Sequence, residues 1–178
     1  MQKNSKFNVQ NLTRLALVAA MYAALTVATS YLSYGGIQYR LSEILVLLCF
    51  YRKDYAPALI VGCAIANLFS PMGLVDVVVG SFATAVAVVP MYYMKNIYLA
   101  ALLPIVSNGI IVGIELTVVY AEASVWFNML TVAFGELVVV GVLGVLVFKL
   151  IFDKNPAMLR LIGSTRKNAK ADGSETTV

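Results

Sequence analysis

The fold turns on residues 35–53, GGIQYRLSEILVLLCFYRK. Two glycines and a polar stretch ending in Arg40 lead into an apolar run, 41–51, which Arg52 and Lys53 close. Eleven helical residues rise only ~16 Å, about half of a ~30 Å bilayer core. The run therefore either crosses a region lined by protein or dips into the membrane and returns. Five further apolar runs flank it, at about 12–34, 55–71, 74–94, 97–120 and 126–152, each bounded by charge, Pro, Gly or Asn. Four of them are long enough to span, and 55–71 lies at the lower limit.

Lys and Arg decide between the two options. With six crossings and a cytoplasmic N-terminus, Lys3, Lys6, Arg14, Arg52, Lys53, Lys95, Lys149, Lys154, Arg160, Arg166, Lys167 and Lys170 fall inside and only Arg40 outside, twelve against one. A re-entrant second run would leave three inside and ten outside, against the positive-inside bias. The expectation is an all-α integral membrane protein with six transmembrane helices, a short second helix and both termini cytoplasmic. Residues 1–11 form a cytoplasmic segment and 12–152 the membrane domain. Residues 153–178 form a cytoplasmic tail that turns polar after Arg160 and reads as disordered. No small-residue cleavage site follows the first apolar stretch, which reads as a helix and not a signal peptide.

Composition supports this class and excludes others. The 178 residues are 61% hydrophobic and 12% charged, where soluble domains run about 45–50% and about 25%. The net charge of +4 separates into clustered bases at one side and acids at the other, an orientation signal and not a nucleic-acid footprint. The chain has no histidine, and its two cysteines, Cys49 and Cys63, lie in apolar segments and read as small core residues. No zinc ligand set, CxxC pair or Ser-His couple is possible, and no GxxxxGK[ST] phosphate loop occurs. No cofactor is expected, and nothing in the chain powers transport.

Ionisable residues within spans mark function by default, since each costs roughly 2.5–3.5 kcal/mol at a helix centre. Here they are Glu43, Asp76, Glu115 and Glu136, with Asn67 and Asn108 beside them. Glu43 starts the second run, Asp76 the fourth, and Glu115 and Glu136 lie at ~8–15 Å depth, all toward the outer half. Six residues from five helices thus share one outward layer. Plainer readings stand beside this one. Asp76 suits a helix N-cap, Arg40 and Glu43 suit a mutual ion pair, and the asparagines suit interhelical hydrogen bonds. Glu115 and Glu136 have no Lys or Arg within a turn, and a functional role is expected of them. The loop 35–43 is expected to descend toward an outward pocket, because irregular backbone at depth must be buried or line a cavity.

Ala16, Ala20, Ala24 and Ala28 recur every fourth residue on the first helix, a stripe that lets another backbone approach, from a partner or from within the chain. Gly109 with Gly113, and Gly141 with Gly144, read as internal packing.

The segments Tyr39-Arg40-Leu41-Ser42-Glu43-Ile44-Leu45, Gly62-Cys63-Ala64-Ile65-Ala66-Asn67-Leu68, Ser70-Pro71-Met72-Gly73 and Asp76-Val77-Val78-Val79-Gly80-Ser81 resemble the QueT family of queuosine-precursor transporters across residues 10–152. The resemblance implies a substrate-binding S component of a bacterial energy-coupling-factor (ECF) importer, in the cell membrane. Such a component binds its ligand from outside and associates, through the alanine face of its first helix, with a membrane T component carrying two ABC-type ATPases. The implied ligand is a 7-deazaguanine: the aminomethyl or cyano precursor of queuosine, or queuine. A carboxylate accepts the paired N–H donors of its guanine-like edge, and a second acid suits the aminomethyl cation. Glu115 and Glu136 are the first choice for these roles, with Glu43 next. Asn67 or Asn108 suits the ring carbonyl, and Tyr39, Tyr120 or Trp126 a stacking contact; Arg40 and Asp76 complete the candidate set. The rival reading is a stand-alone proton-coupled secondary transporter of a small cationic or nucleobase-like solute, with Glu115 and Glu136 relaying protons. It lacks the internal duplication such proteins usually show. A membrane enzyme using two carboxylates finds no other support.

Overall fold

The computed structural model describes residues 9–34, 37–121 and 123–165, and every regular element among them is helical. Helix α1 is Val9–Ala28, α2 Leu41–Tyr51, α3 Tyr55–Asn67, α4 Leu74–Met91, α5 Ile97–Tyr120, α6 Val125–Phe152 and α7 Pro156–Leu161. By length and composition α1, α4, α5 and α6 suit a bilayer crossing, whereas α2 and α3 are apolar but shorter. The chain is a multi-pass helical membrane protein. Residues 1–8, Gly35 and Gly36, Glu122 and 166–178 lie outside the described residues, and with them the two loop glycines and most of the expected tail.

Each of α3, α4, α5 and α6 packs against its neighbour in the order α1–α3–α4–α5–α6, and α2 closes the ring between α1 and the second half of α6. Being enclosed, α2 buries every residue from Val46 to Tyr51. It is also not the α-helix its sequence suggests: Leu41–Leu47 is 3₁₀ and only Leu48–Tyr51 is α. A 3₁₀ turn rises ~2.0 Å per residue, so α2 reaches ~20 Å instead of ~16 Å. Three residues per turn also place Glu43 and Val46 in one row, both of them fully enclosed.

Small residues bring the long helices close. A Cβ built on Gly113 of α5 would lie 2.6 Å from the Met129 Cα of α6, and one on Gly109 2.9 Å from the Ala133 Cβ. Gly144 faces Leu47 in the same way, so these glycines serve packing within the chain, as expected. The alanine stripe does not: Ala16, Ala20, Ala24 and Ala28 are all exposed, on the side of α1 opposite its buried Val18, Tyr22 and Thr26.

Residues 156–165, read from the sequence as part of the tail, are seated on the bundle. Asn155 caps α7 by accepting from Ala157 N at 3.0 Å, with Pro156 at its first position. Leu159 and Ile162 are buried in the main core. Tyr55 Oη donates to Ile162 O at 2.7 Å, Thr165 N to Tyr51 O at 3.1 Å, and Tyr51 Oη to Asp153 Oδ1 at 2.8 Å. Two apolar anchors and two hydrogen bonds to distant parts of the sequence seat the segment despite its polar average.

Candidate ligand-binding site

Regular spacing on two helices builds the first part of the site. Cys63 and Asn67 stand one turn apart on α3, and Asp76, Gly80 and Thr84 one turn apart on the face of α4 that meets it. Asn67 Nδ2 donates to the Asp76 backbone oxygen at 2.8 Å and approaches Cys63 Sγ at 3.4 Å. Thr84 Oγ1 donates to the same sulfur at 3.2 Å, and Arg40 Nη1 reaches it at 3.9 Å. The Asp76 carboxylate faces Arg40 Nη2 at 3.9 Å. Gly80 makes this possible, because a Cβ there would collide with Asn67 Nδ2 and lie 2.8 Å from Asp76 Oδ1.

Helix α1 supplies the second part. Tyr22 and Thr26, one turn apart and buried, face the start of α2. Tyr22 Oη donates to Glu43 Oε1, and the Thr26 and Ser42 hydroxyls meet at 2.5 Å. One helix therefore holds the Glu43 end of the site on its inner face and the alanine stripe on its outer face.

Helices α5 and α6 supply the third. Asn108 Nδ2 donates to Glu136 Oε1 at 2.6 Å. Glu136 ends the first α-helical part of α6, and the next eight residues, Leu137–Gly144, are π-helical, a rare geometry frequent at functional sites. Segment 37–40 lies directly on α6 here, since a Cβ on Gly135 would run into the Gln38 backbone. Gln38 and Arg40 are buried, so this loop descends into the bundle as expected. Glu115 is only 5% exposed, yet neither of its carboxylate oxygens has a hydrogen-bond partner among the described residues.

These groups form one electrostatic layer. Glu115 feels the charges of Asp76 and Arg40, and Glu136 those of Glu43 and Arg40. Four carboxyl groups against Arg40 leave an excess of acceptors. Among the described residues Glu43 Oε2 and Glu136 Oε2 also lack a hydrogen-bond partner. Buried carboxylates without donors are costly, and these oxygens are left without one among the described residues.

The structure brings together Arg40, Glu43, Asn67, Asp76, Asn108, Glu115 and Glu136, all buried. It also decides the plainer readings. Asp76 is not the N-cap of α4, a position held by Gly73. Arg40 takes Asp76 and not Glu43 as its close ion pair. Both asparagines do make interhelical hydrogen bonds, and each of those bonds lies inside the acidic layer. Tyr39 is half-buried against the core. Tyr120 and Trp126 point elsewhere, at 46% and 71% exposure, and Trp126 borders an apolar groove of about 250 Å³ lined also by Ile110, Met129 and Ala133. The ring that does face Arg40 is that of Tyr34, with the guanidinium carbon 5.7 Å from its centroid. Sequence reasoning missed Tyr22, Thr26, Tyr34, Cys63, Gly80 and Thr84. The signal for Tyr22 and Thr26 is two polar residues one turn apart in an otherwise apolar helix.

A buried acid-rich layer inside a multi-pass helical bundle defines the class as an integral membrane protein with a polar interior. The chain belongs to the QueT transporter family, whose match runs over residues 12–153. A queuosine precursor transporter, QueT of Lactococcus lactis subsp. cremoris strain MG1363, is 41% identical over 83 residues, 46% of this chain and 48% of that protein. The aligned part thus spans about half the length of the curated relative it matches. No solved structure matches the chain.

Proposed function

We propose that the chain is the substrate-binding S component of an ECF importer that captures a queuosine precursor, a 7-deazaguanine, from outside the cell. The observation that carries this reading is the Glu115 carboxylate, buried with two unused oxygens inside a layer richer in acceptors than donors, in a chain of the QueT transporter family. Glu115 accepts the ring N–H and exocyclic amine of the guanine-like edge side by side. Glu43 and Glu136, each with one oxygen held by Tyr22 or Asn108 and one left over, flank the aminomethyl cation. Arg40 and Asn67 hold Asp76 in place behind them.

The bases cluster at the opposite end of the bundle, which supports six crossings with both termini cytoplasmic and the acidic layer facing out. The exposed alanine stripe supports docking of a T component, with its two ATPases, on α1. Mild solubilisation of the tagged chain from its native membrane, followed by affinity capture, tests the assembly. Retention of an apolar partner and two ATPases is expected. Capture of the chain alone, with ligand uptake driven by a proton gradient instead, contradicts it and favours a stand-alone secondary transporter.

A further inference from the structure

At the basic end of the bundle, three segments distant in sequence bring two guanidinium groups together. A Cβ built on Gly163, two residues beyond α7, would lie 2.8 Å from Arg14 Nη1 and 2.7 Å from Arg52 Nη1. The two Nη1 atoms therefore lie within about 5.5 Å of each other, the sum of those distances. Gly163 has φ +62°, the left-handed conformation that glycine adopts without penalty, and its missing side chain leaves the space between the guanidiniums open. The arrangement is held from below by Tyr55, whose hydroxyl donates to Ile162 O and whose ring lies within the field of both arginines.

Charge is not balanced here. Arg52 spends Nε and Nη2 on Asp54 Oδ2, at 3.0 and 2.8 Å, and turns Nη1 toward Gly163. Arg14 is half-buried and has no carboxylate within ion-pair distance among the described residues. Among the described residues Asp54 is the one acid paired with these two bases, and exposed Lys53, Lys149, Lys154 and Arg160 outnumber the exposed Asp153 around this end. Two like charges so placed repel unless an anion stands between them, and paired guanidinium forks match a tetrahedral oxyanion in geometry and in charge.

We propose that Arg14 and Arg52, across the space that Gly163 leaves between them, form a phosphate-binding site that ties helix α1 to the α7 strap, with the phosphodiester of an anionic lipid headgroup as its ligand. Inorganic phosphate shares the chemistry and is the other source. The test is thermal unfolding of the purified chain in neutral detergent with added phosphatidylglycerol, phosphatidylcholine or inorganic phosphate. Phosphatidylglycerol is expected to raise the midpoint by several degrees in the parent and in Lys53→Gln. The concentration giving half the shift is expected to rise at least fivefold in Arg14→Gln and in Arg52→Gln. An arginine-dependent shift with inorganic phosphate alone assigns the site to the free anion and overturns the lipid assignment. No shift with any probe, or equal shifts in all variants, overturns the site altogether. Should either variant fail to fold, native mass spectrometry of the parent decides. Retained phosphatidylglycerol adducts in preference to phosphatidylcholine support the proposal, and indifference between the two contradicts it.

Discussion

Replacing Glu115 by glutamine separates a ligand-binding role from a structural one, because the two predict opposite signs. In the folded chain Glu115 is 5% exposed, neither oxygen is hydrogen-bonded among the described residues, and the neighbouring charge of Asp76 is of like sign. Removing its charge therefore relieves an uncompensated burial. An unsatisfied buried polar group costs ~1–3 kcal/mol, and the amide still needs partners, so a gain of about 1 kcal/mol is the working figure. For a chain of this size that raises the unfolding midpoint by ~2–4 °C. Ligand affinity moves the other way. Glutamine keeps one acceptor and puts a donor where the carboxylate had its second, so one charge-assisted hydrogen bond worth ~1.5–3 kcal/mol is lost. At 1.4 kcal/mol per factor of ten, affinity falls ~10–150-fold. The assay is isothermal titration of the detergent-purified chain with 7-aminomethyl-7-deazaguanine, alongside an unfolding scan without ligand. Unchanged affinity together with a lower midpoint would show that Glu115 serves the fold, and would refute its place in the site.

The other positions give contrasting signatures. Tyr22→Phe removes the donor to Glu43 and leaves that buried acid unpaired, and a loss of ~1.5–3 kcal/mol in stability is expected by unfolding in detergent; an unchanged midpoint would show that the bond contributes nothing. Gly80→Ala forces a methyl group into Asn67 and the Asp76 carboxylate, so overpacking of ~1–3 kcal/mol and a weaker titration are expected together. A parent-like titration there would place the ligand away from Asp76. Ala20→Leu on the exposed stripe leaves folding and ligand affinity unchanged but abolishes capture of the T component and ATPases, whereas full capture would move the partner surface off α1. Leu159→Ala detaches the α7 strap at a cost of ~2 kcal/mol, the low end for a core truncation, read as faster proteolysis after residue 153; equal proteolysis rates would show that α7 is not held there.

What the sequence reveals and what it hides follow from the solvent. Charge within an apolar run is visible wherever it falls, so Glu43, Asp76, Glu115 and Glu136 stand out from the residue order alone, and the short run 41–51 is measurable from its flanking arginines. Facing is a different matter. In a chain that meets lipid on its outside, core and surface are both apolar, so periodicity does not tell one face of α5 or α6 from another. Tyr120 and Trp126 have the right depth for the site and the wrong direction. The 3₁₀ geometry of α2 is likewise invisible locally, since Leu41–Leu47 would read the same as an α-helix. The bonds from Tyr22 and Thr26, about twenty residues earlier, reach into it. Cys63 reads as a small apolar residue, and only the approach of Arg40, Asn67 and Thr84 makes its sulfur an acceptor. Leu159 and Ile162 are diluted by their polar neighbours, although two anchors suffice to seat the strap.

Whether the acidic layer receives a cationic deazaguanine is read by calorimetric titration of the unmodified chain. Calorimetry is preferred to fluorescence because Trp126 lies outside the layer. Saturable one-to-one binding of 7-aminomethyl-7-deazaguanine in the submicromolar range is predicted, with guanine at least tenfold weaker for want of the ammonium group. A folded, monodisperse preparation that binds no queuosine precursor, or that binds guanine equally well, would contradict the account.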